Sequence, residues 1–445
     1  MKKYMVFILA FCLLIFTPAV TGFAEDLDAG AYVETLCSGD AKGLTETYSH
    51  TEELLNALNQ SGGLEGLQTS LKSFGELQAV GEPIISEVMG YTSYSVPCTF
   101  ELQKLNLVLN VDGEGRIAGI VTAPYTEETV SDREAESITE GIMEIDLNIP
   151  VDGKEGWELP GTLTLPEGEG TFPAVILVHG SGPNDRDETI GSNKPFRDIA
   201  NGLAQEGIAV YRYDKRTYVY GQEMAEDTTL TLADETILDA VKAVEILAEQ
   251  EQIDPERIYL AGHSLGGQAL PAIHAALPEN TEAAGYIFLA APARKLTELM
   301  REQYDFLYSL TPELNEVQAE QKTAVYAELD RLDNLETLKD DEAVFGAYGT
   351  YWKDLDNYDQ VAEAAYISQP CLVLQGEEDY QVTMEDFAIW QETYGEKDNW
   401  EFQSYAGLTH LLMAGKKENA SADYQKEQNV DTQVIHDMAA FIKED

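Results

Sequence analysis

Between Phe172 and Leu289 the chain alternates continuous apolar runs of four to seven residues with longer stretches of helical periodicity. Phe172–Val178 is a continuous apolar run, as expected for a strand buried on both sides, and Ile208–Tyr213, Ile258–Ala261 and Tyr286–Ala290 also read as strands. Phe196–Gln205, Thr231–Ala248 and Gly266–Leu277 lie between them and repeat their apolar residues at the helical period. Short strands that alternate with helices must be parallel and joined by crossovers, so this pattern predicts an α/β fold with a mostly parallel sheet covered on both faces. Two earlier strands are predicted at Met143–Ile149 and Trp157–Leu165. The alternation resumes with the strand Cys371–Leu374, the helix Met384–Tyr394, the strand Trp400–Tyr405 and the helix Val430–Ile442. Residues 293–368 interrupt it. They are charged, helical in pattern and aromatic, and read as a cap inserted at the carboxyl edge of the sheet, where ligands of open α/β sheets bind. Tyr348, Tyr351 and Trp352 are the aromatic candidates to line a pocket there.

The rest of the 445 residues divide in sequence order. Lys2 and Lys3, the apolar run Met5–Val20 and the small residues at Gly22 and Ala24 predict a signal peptide over 1–24, cleaved after Ala24, and an exported protein. That run is short for a bilayer span, and no later run is long enough, so no stable membrane insertion is expected. Residues 25–124 place helical periodicity first (Ala31–Leu36, Thr51–Leu58, Leu64–Phe74) and strands after it. They predict a small α+β domain with an antiparallel sheet. Residues 125–141 form an acidic Ser/Thr/Glu-rich linker, and 142–445 the α/β domain with its insert.

The formal charge is −52, from 28 basic and 80 acidic residues, spread along the chain rather than gathered in a tail. This excludes a nucleic-acid partner, which needs cations to neutralise phosphates. Besides Cys12 in the leader there are three cysteines. Cys37 and Cys98 read either as one disulfide or as buried thiols, and Cys371 as a core residue. No zinc-binding spacing occurs, so neither a metal nor another cofactor is expected. The oligomeric state is not encoded in any legible way.

The chemistry concentrates in five segments. Gly262-His263-Ser264-Leu265-Gly266-Gly267 falls between a predicted strand and a predicted helix, where a tight turn lifts Ser264 above the sheet. A serine hydroxyl needs a base. Of the six histidines, His410 closes a short loop after the strand Trp400–Tyr405 and can swing over the sheet edge. The orienting acid belongs to Gly376-Glu377-Glu378-Asp379, where Asp379 sits at the outer end of the turn and the two glutamates read as exposed. His179-Gly180-Ser181-Gly182-Pro183 ends the strand Phe172–Val178. The backbone N–H groups of Ser181 and Leu265 are the candidate oxyanion donors, and His179 reads as structural. Arg186 reads either as an anion ligand or as the partner of Asp185, Asp187 or Asp214.

Together with Asp185-Arg186-Asp187, Tyr213-Asp214-Lys215-Arg216 and Gly407-Leu408-Thr409-His410, these motifs resemble the α/β-hydrolase superfamily across 142–445. Within it the chain is similar to secreted bacterial serine esterases related to dienelactone hydrolases and bile-acid-CoA thioesterases. The resemblance implies Ser264 as nucleophile, Asp379 as acid and His410 as base. Dienelactone hydrolases proper use cysteine where this chain has Ser264. Residues 25–124 are similar in outline to the nuclear-transport-factor-like fold. The resulting expectation is a secreted hydrolase of small-molecule carboxylic esters acting through an acyl-enzyme. A prolyl-oligopeptidase-type peptidase, a thioesterase and a non-enzymatic binding protein on the same fold are the alternatives.

Overall fold

The computed structural model describes residues 27–123 and 141–444, apart from short stretches at 52–53, 56–57, 59–62, 89–90, 102–103, 114, 280, 311–313, 315, 420–422 and 425. The leader over 1–24, including Cys12, and nearly all of the linker over 125–141 lie outside the described residues. So does much of the helix expected over Thr51–Leu58. The chain separates into two compact units that divide near Thr139.

The smaller unit opens with helix α1 (Ala29–Ser38), whose first turn is capped by the Asp28 carboxylate accepting from the Ala31 N–H. Helix α2 (Gly63–Leu71) follows. Strands β1 (Leu77–Val80), β2 (Ile84–Val88), β3 (Tyr91–Phe100), β4 (Lys104–Val111) and β5 (Ile117–Ala123) form one antiparallel sheet in the order β1-β3-β4-β5, with β2 also paired to β3. One sheet face packs Tyr94, Val96, Cys98 and Phe100 against Tyr32, Val33 and Leu36 of α1, following the period-two alternation of a half-covered sheet. Cys37, Cys98 and Cys371 are free, buried thiols. Burial raises the first two thiols well above their ordinary value, Cys37 to about 12 and Cys98 to about 11.

The larger unit is built on an eight-stranded sheet. In chain order its strands are β6 (Ile142–Asp146), β7 (Gly161–Pro166), β8 (Phe172–Val178), β9 (Ala209–Tyr213), β10 (Ile253–His263), β11 (Gly285–Leu289), β12 (Cys371–Gly376) and β13 (Trp400–Tyr405). In space they lie in the order β13-β12-β11-β10-β8-β9-β7-β6. The six strands from β13 to β9 are mutually parallel. At the other edge β7 runs antiparallel to both neighbours. The chain leaves β8 for β9 on one side and returns as β10 on the other. This reversal opens a crevice at the carboxyl ends of β8 and β10.

Both faces are covered, which explains the uninterrupted apolar strands. Ala174, Ile176 and Val178 of β8 point into one core with α4 (Leu238–Ala248) and α5 (Leu265–Ala276). Val175 and Leu177 point into the other, with α3 (Pro195–Gln205) and α9 (Thr432–Glu444). The insert holds α6 (Leu296–Ser309), α7 (Glu316–Leu332) and α8 (Gly349–Asn357). It also holds a two-stranded ribbon, Ala343–Val344 with Ala347–Tyr348, that the helical reading omitted. The insert is tied to the carboxyl side of the sheet. The Tyr358 hydroxyl bridges α5, accepting from the Ala272 N–H and donating to the Gln268 carbonyl. Gln303 of α6 donates to the Gln381 carbonyl just past β12. Trp352 lies inside the insert's own core, its indole N–H donating to the Val344 carbonyl at 2.8 Å. It therefore holds the ribbon rather than a pocket wall.

Candidate active site

Strand β10 ends at His263 and α5 begins at Leu265, so Ser264 alone makes the turn between them. Its backbone stands at φ 53°, ψ −120°, a conformation that costs roughly 1–3 kcal/mol outside glycine. The flanking glycines are required by proximity. A Cβ on Gly262 would lie 2.3 Å from the Gly266 carbonyl oxygen, and one on Gly266 would lie 2.2 Å from that of Val178. The turn packs directly onto the end of β8, because the two strands are in register through Val178 and Gly262. The Ser264 side chain is half-exposed while its neighbours are buried. Leu265 is the first residue of α5, so its N–H belongs to the helix end that carries partial positive charge.

Asp379 follows the end of β12, and His410 follows β13, the strand beside it. The two meet: His410 Nδ1 lies 2.7 Å from Asp379 Oδ2, with both side chains buried. Every remaining acceptor position of the carboxylate is used. Oδ1 accepts from the Gln381 N–H at 2.7 Å and from the Val382 N–H at 3.1 Å, and Oδ2 accepts from the Gln375 amide at 3.1 Å. With an acceptor facing Nδ1, the ring carries its proton there and leaves Nε2 free to act as a base. Glu377 instead accepts from the Ser404 hydroxyl, and Glu378 accepts from the Lys417 N–H. Neither glutamate contacts His410.

The other histidines are engaged elsewhere. His50, in the smaller unit, bonds to the Tyr32 hydroxyl. His274 Nδ1 meets the Tyr286 hydroxyl at 2.8 Å. His436 is exposed beside Glu206. His179 donates from Nε2 to the Tyr213 carbonyl at 2.6 Å and is buried, so it is a structural residue at the end of β8. Burial lowers its pKa below the ordinary histidine value and keeps it neutral.

The loop after β8 is gripped by the segment after β9. Lys215 donates from Nζ to the Gly180 carbonyl at 2.8 Å, and its N–H donates to the Asn184 carbonyl. Thr217 donates to the Gly182 carbonyl. Lys215 also pairs with Glu235, a carboxylate hydrogen-bonded to Tyr351 of the insert. Tyr351 thus anchors the insert to the loop that carries Ser181. The alternatives open for Arg186 close on Asp214, 2.9 Å from Nη2, while Asp187 pairs with Arg212. Arg186 is therefore committed within the protein. No group of three or more candidate metal ligands occurs among the described residues, and no helix among them is long and apolar enough to cross a membrane.

Several of these residues carried no motif signal. Gln375 lies next to a motif residue, and Lys215 lies inside a motif, but the partners of Lys215, Gly180 and Glu235, are 35 and 20 residues away. Glu235 sits on the π-helical segment Ala233–Ile237 and gave no signal at all.

A family profile described as serine aminopeptidase, S33, matches residues 173–417. The chain is 34% identical over 420 residues to esterase EstD of Thermotoga maritima, covering 94% of this chain and 95% of that protein. Among solved structures, Est1E from Butyrivibrio proteoclasticus overlays with a TM-score of 0.44 at 17% identity, over 67% of this chain and 99% of that one. The esterase Pf2001 of Pyrococcus furiosus overlays with a TM-score of 0.43 at 15% identity, over 72% and 96%. On the strength of the two sequence matches, the chain belongs to the α/β-hydrolase family described by the S33 serine aminopeptidase profile.

Proposed function

We propose that the protein is a serine esterase, exported from the cell, that cleaves small-molecule carboxylic esters by way of an acyl-enzyme. The observation that carries the reading is the buried Asp379–His410 contact of 2.7 Å, with the His410 carbonyl 3.0 Å from Nε2 of His263, the residue that precedes a serine raised on a strained turn. The 34% identity to a protein named as an esterase, over nearly the whole of both chains, supports the ester class.

In this reading Ser264 Oγ attacks the ester carbonyl as His410 Nε2 takes its proton. Asp379 holds the opposite ring N–H and stabilises the imidazolium that forms. The Ser181 and Leu265 N–H groups receive the oxyanion, and removing a single donor of that kind costs about 3 kcal/mol of transition-state stabilisation. The imidazolium then protonates the leaving alcohol. A water molecule gives its proton to the same nitrogen, attacks the acyl carbon and releases the acid with Ser264 restored. A peptidase reading draws on the aminopeptidase description of the family profile.

Acyl p-nitrophenyl esters of increasing chain length, acetylated sugars, acyl thioesters and aminoacyl p-nitroanilides, each given to wild type and to Ser264→Ala, separate the possibilities. The expected result is ester turnover that Ser264→Ala abolishes and little turnover of anilides. Anilide turnover exceeding that of esters in kcat/KM would make the protein a peptidase.

A further inference from the structure

A second histidine–carboxylate pair is buried beside the first. Glu188 follows the Asp185-Arg186-Asp187 segment, is 2% exposed and adopts φ 52°, a backbone conformation unusual for glutamate. Its Oε1 accepts from the Gly180 N–H at 2.7 Å. Its Oε2 lies 2.8 Å from Nδ1 of His263, the residue before Ser264. The other nitrogen of that ring, Nε2, lies 3.0 Å from the carbonyl oxygen of His410. The His263 and His410 rings stand 4.7 Å apart.

The contacts favour a charged His263. Nε2 donates to the His410 carbonyl, and Nδ1 approaches the Glu188 carboxylate as an ion-pair contact whose angle lies outside hydrogen-bond geometry, so the ring beside the carboxylate is assigned as an imidazolium. A buried cation requires a counter-charge, which Glu188 supplies. Burial alone would discharge His263, but Glu188 outweighs it and raises the histidine above its ordinary value. Other charged or titratable groups also face the pair. His179 Nδ1 is 4.0 Å from Glu188, Lys215 and Asp185 lie beyond His179, and Asp379 lies behind His410.

The pair touches three segments that arrive from different strands: the oxyanion loop through the Gly180 N–H, the elbow through His263 itself, and the base loop through the His410 carbonyl. We propose that Glu188 and His263 form a charged positioning pair that holds the oxyanion loop and His410 in register with Ser264. The role rests on the reading of Ser264 as nucleophile and His410 as base. Both side chains are buried, so the pair acts through the segments it holds. A displacement of about 1 Å in such a site can cost 10²-fold in rate, which is the scale of effect expected here.

Two measurements on the full chain test the proposal. The first is nitrogen NMR of protein labelled only at its six histidines, with the His263 signals assigned by substitution. Wild type should show both His263 nitrogens protonated at neutral pH, and Glu188→Gln, nearly isosteric, should remove one of those protons. The second is kinetics. Glu188→Gln keeps an acceptor for the Gly180 N–H and should lower kcat on the order of 10-fold. Glu188→Ala keeps none and should lower it on the order of 10²-fold, with KM within about threefold of wild type in both. A neutral His263 in wild type overturns the charged pair. An unchanged kcat in folded Glu188→Gln and Glu188→Ala overturns the positioning role. Fluorophosphonate labelling of wild-type Ser264 is read alongside. Its absence overturns the underlying functional reading, whereas labelling with unchanged variants overturns only the role of the pair.

Discussion

Replacing Asp379 by Asn changes one oxygen into an NH2 group, and the surrounding contacts decide which one. Oδ1 accepts two backbone N–H groups, from Gln381 and Val382, and needs to remain an oxygen. The new NH2 therefore takes the place of Oδ2, 2.7 Å from His410 Nδ1 and 3.1 Å from the Gln375 amide. A donor now faces Nδ1. The ring answers by moving its proton to Nε2, the nitrogen that must accept the Ser264 proton. The base is thus lost through its tautomer while the packing stays nearly the same, and a loss of about 10⁴-fold in kcat is expected. That corresponds to roughly 5–6 kcal/mol of transition-state stabilisation. The assay is steady-state hydrolysis of p-nitrophenyl acetate near pH 7.5 by wild type, Asp379→Asn, Glu377→Gln and Glu378→Gln, with a urea titration of each to establish folding. The two glutamate variants should stay within about threefold of wild type, since those side chains bond to Ser404 and to the Lys417 N–H. Folded Asp379→Asn with kcat within tenfold of wild type, or a larger loss in either glutamate variant, would show that Asp379 is not the residue that orients His410.

Other perturbations follow from the same contacts. Gly266→Ala forces a Cβ to 2.2 Å from a backbone oxygen of β8 and should lower stability by about 3 kcal/mol or more, or prevent folding, as read from the urea midpoint. Arg294→Met strips the guanidinium, 2.8 Å away, from the fully buried Asp386, which should cost about 3–5 kcal/mol; a loss under 1 kcal/mol would show that the two backbone N–H donors to Asp386 suffice. Trp352→Phe loses the bond to the Val344 carbonyl and should lower stability by about 1 kcal/mol while leaving the ratio of kcat/KM between short and long acyl esters unchanged. The pH dependence of the Glu188–His263 pair has two limbs. Burial pushes the Glu188 carboxyl up, but the adjacent His263 outweighs it and the net shift is downward, while His263 is shifted upward. A lowered acid stabilises above its unfolded value of about 4.3 and is lost as pH falls through its folded value. A raised histidine stabilises below its unfolded value of about 6.5 and is lost as pH rises through its folded value. The stability difference between wild type and the double variant Glu188→Gln with His263→Gln should therefore be largest between about pH 4.3 and 6.5 and shrink on both sides, and a difference independent of pH would contradict the ion pair.

The parallel sheet was legible because burial on both faces leaves no polar residue in Phe172–Val178 or Tyr286–Leu289, a pattern a half-exposed strand does not produce. The elbow was legible because steric crowding admits only glycine at Gly262 and Gly266, and that requirement is local. Asp379 was separable from Glu377 and Glu378 by its place on the turn alone. What escaped depends on long-range partners. Glu188 reads as one more acid in an acidic chain until His263 is brought to it from 75 positions away. Lys215 appeared inside a motif, but its purpose needs the Gly180 carbonyl and Glu235 in space. The aromatics of the insert looked alike in sequence. The structure separates Trp352, which is buried within the insert, from Tyr351, which reaches out to Glu235.

In the proposed chemistry Ser264 is a nucleophile activated by His410. Reaction of the purified protein with a fluorophosphonate, followed by intact-mass measurement and peptide mapping, tests it most directly. One phosphonyl group per chain is expected, attached to Ser264, lost in Ser264→Ala and formed at least 10²-fold more slowly in His410→Ala. No adduct on folded wild-type protein, or an adduct at another residue that survives Ser264→Ala, would contradict it.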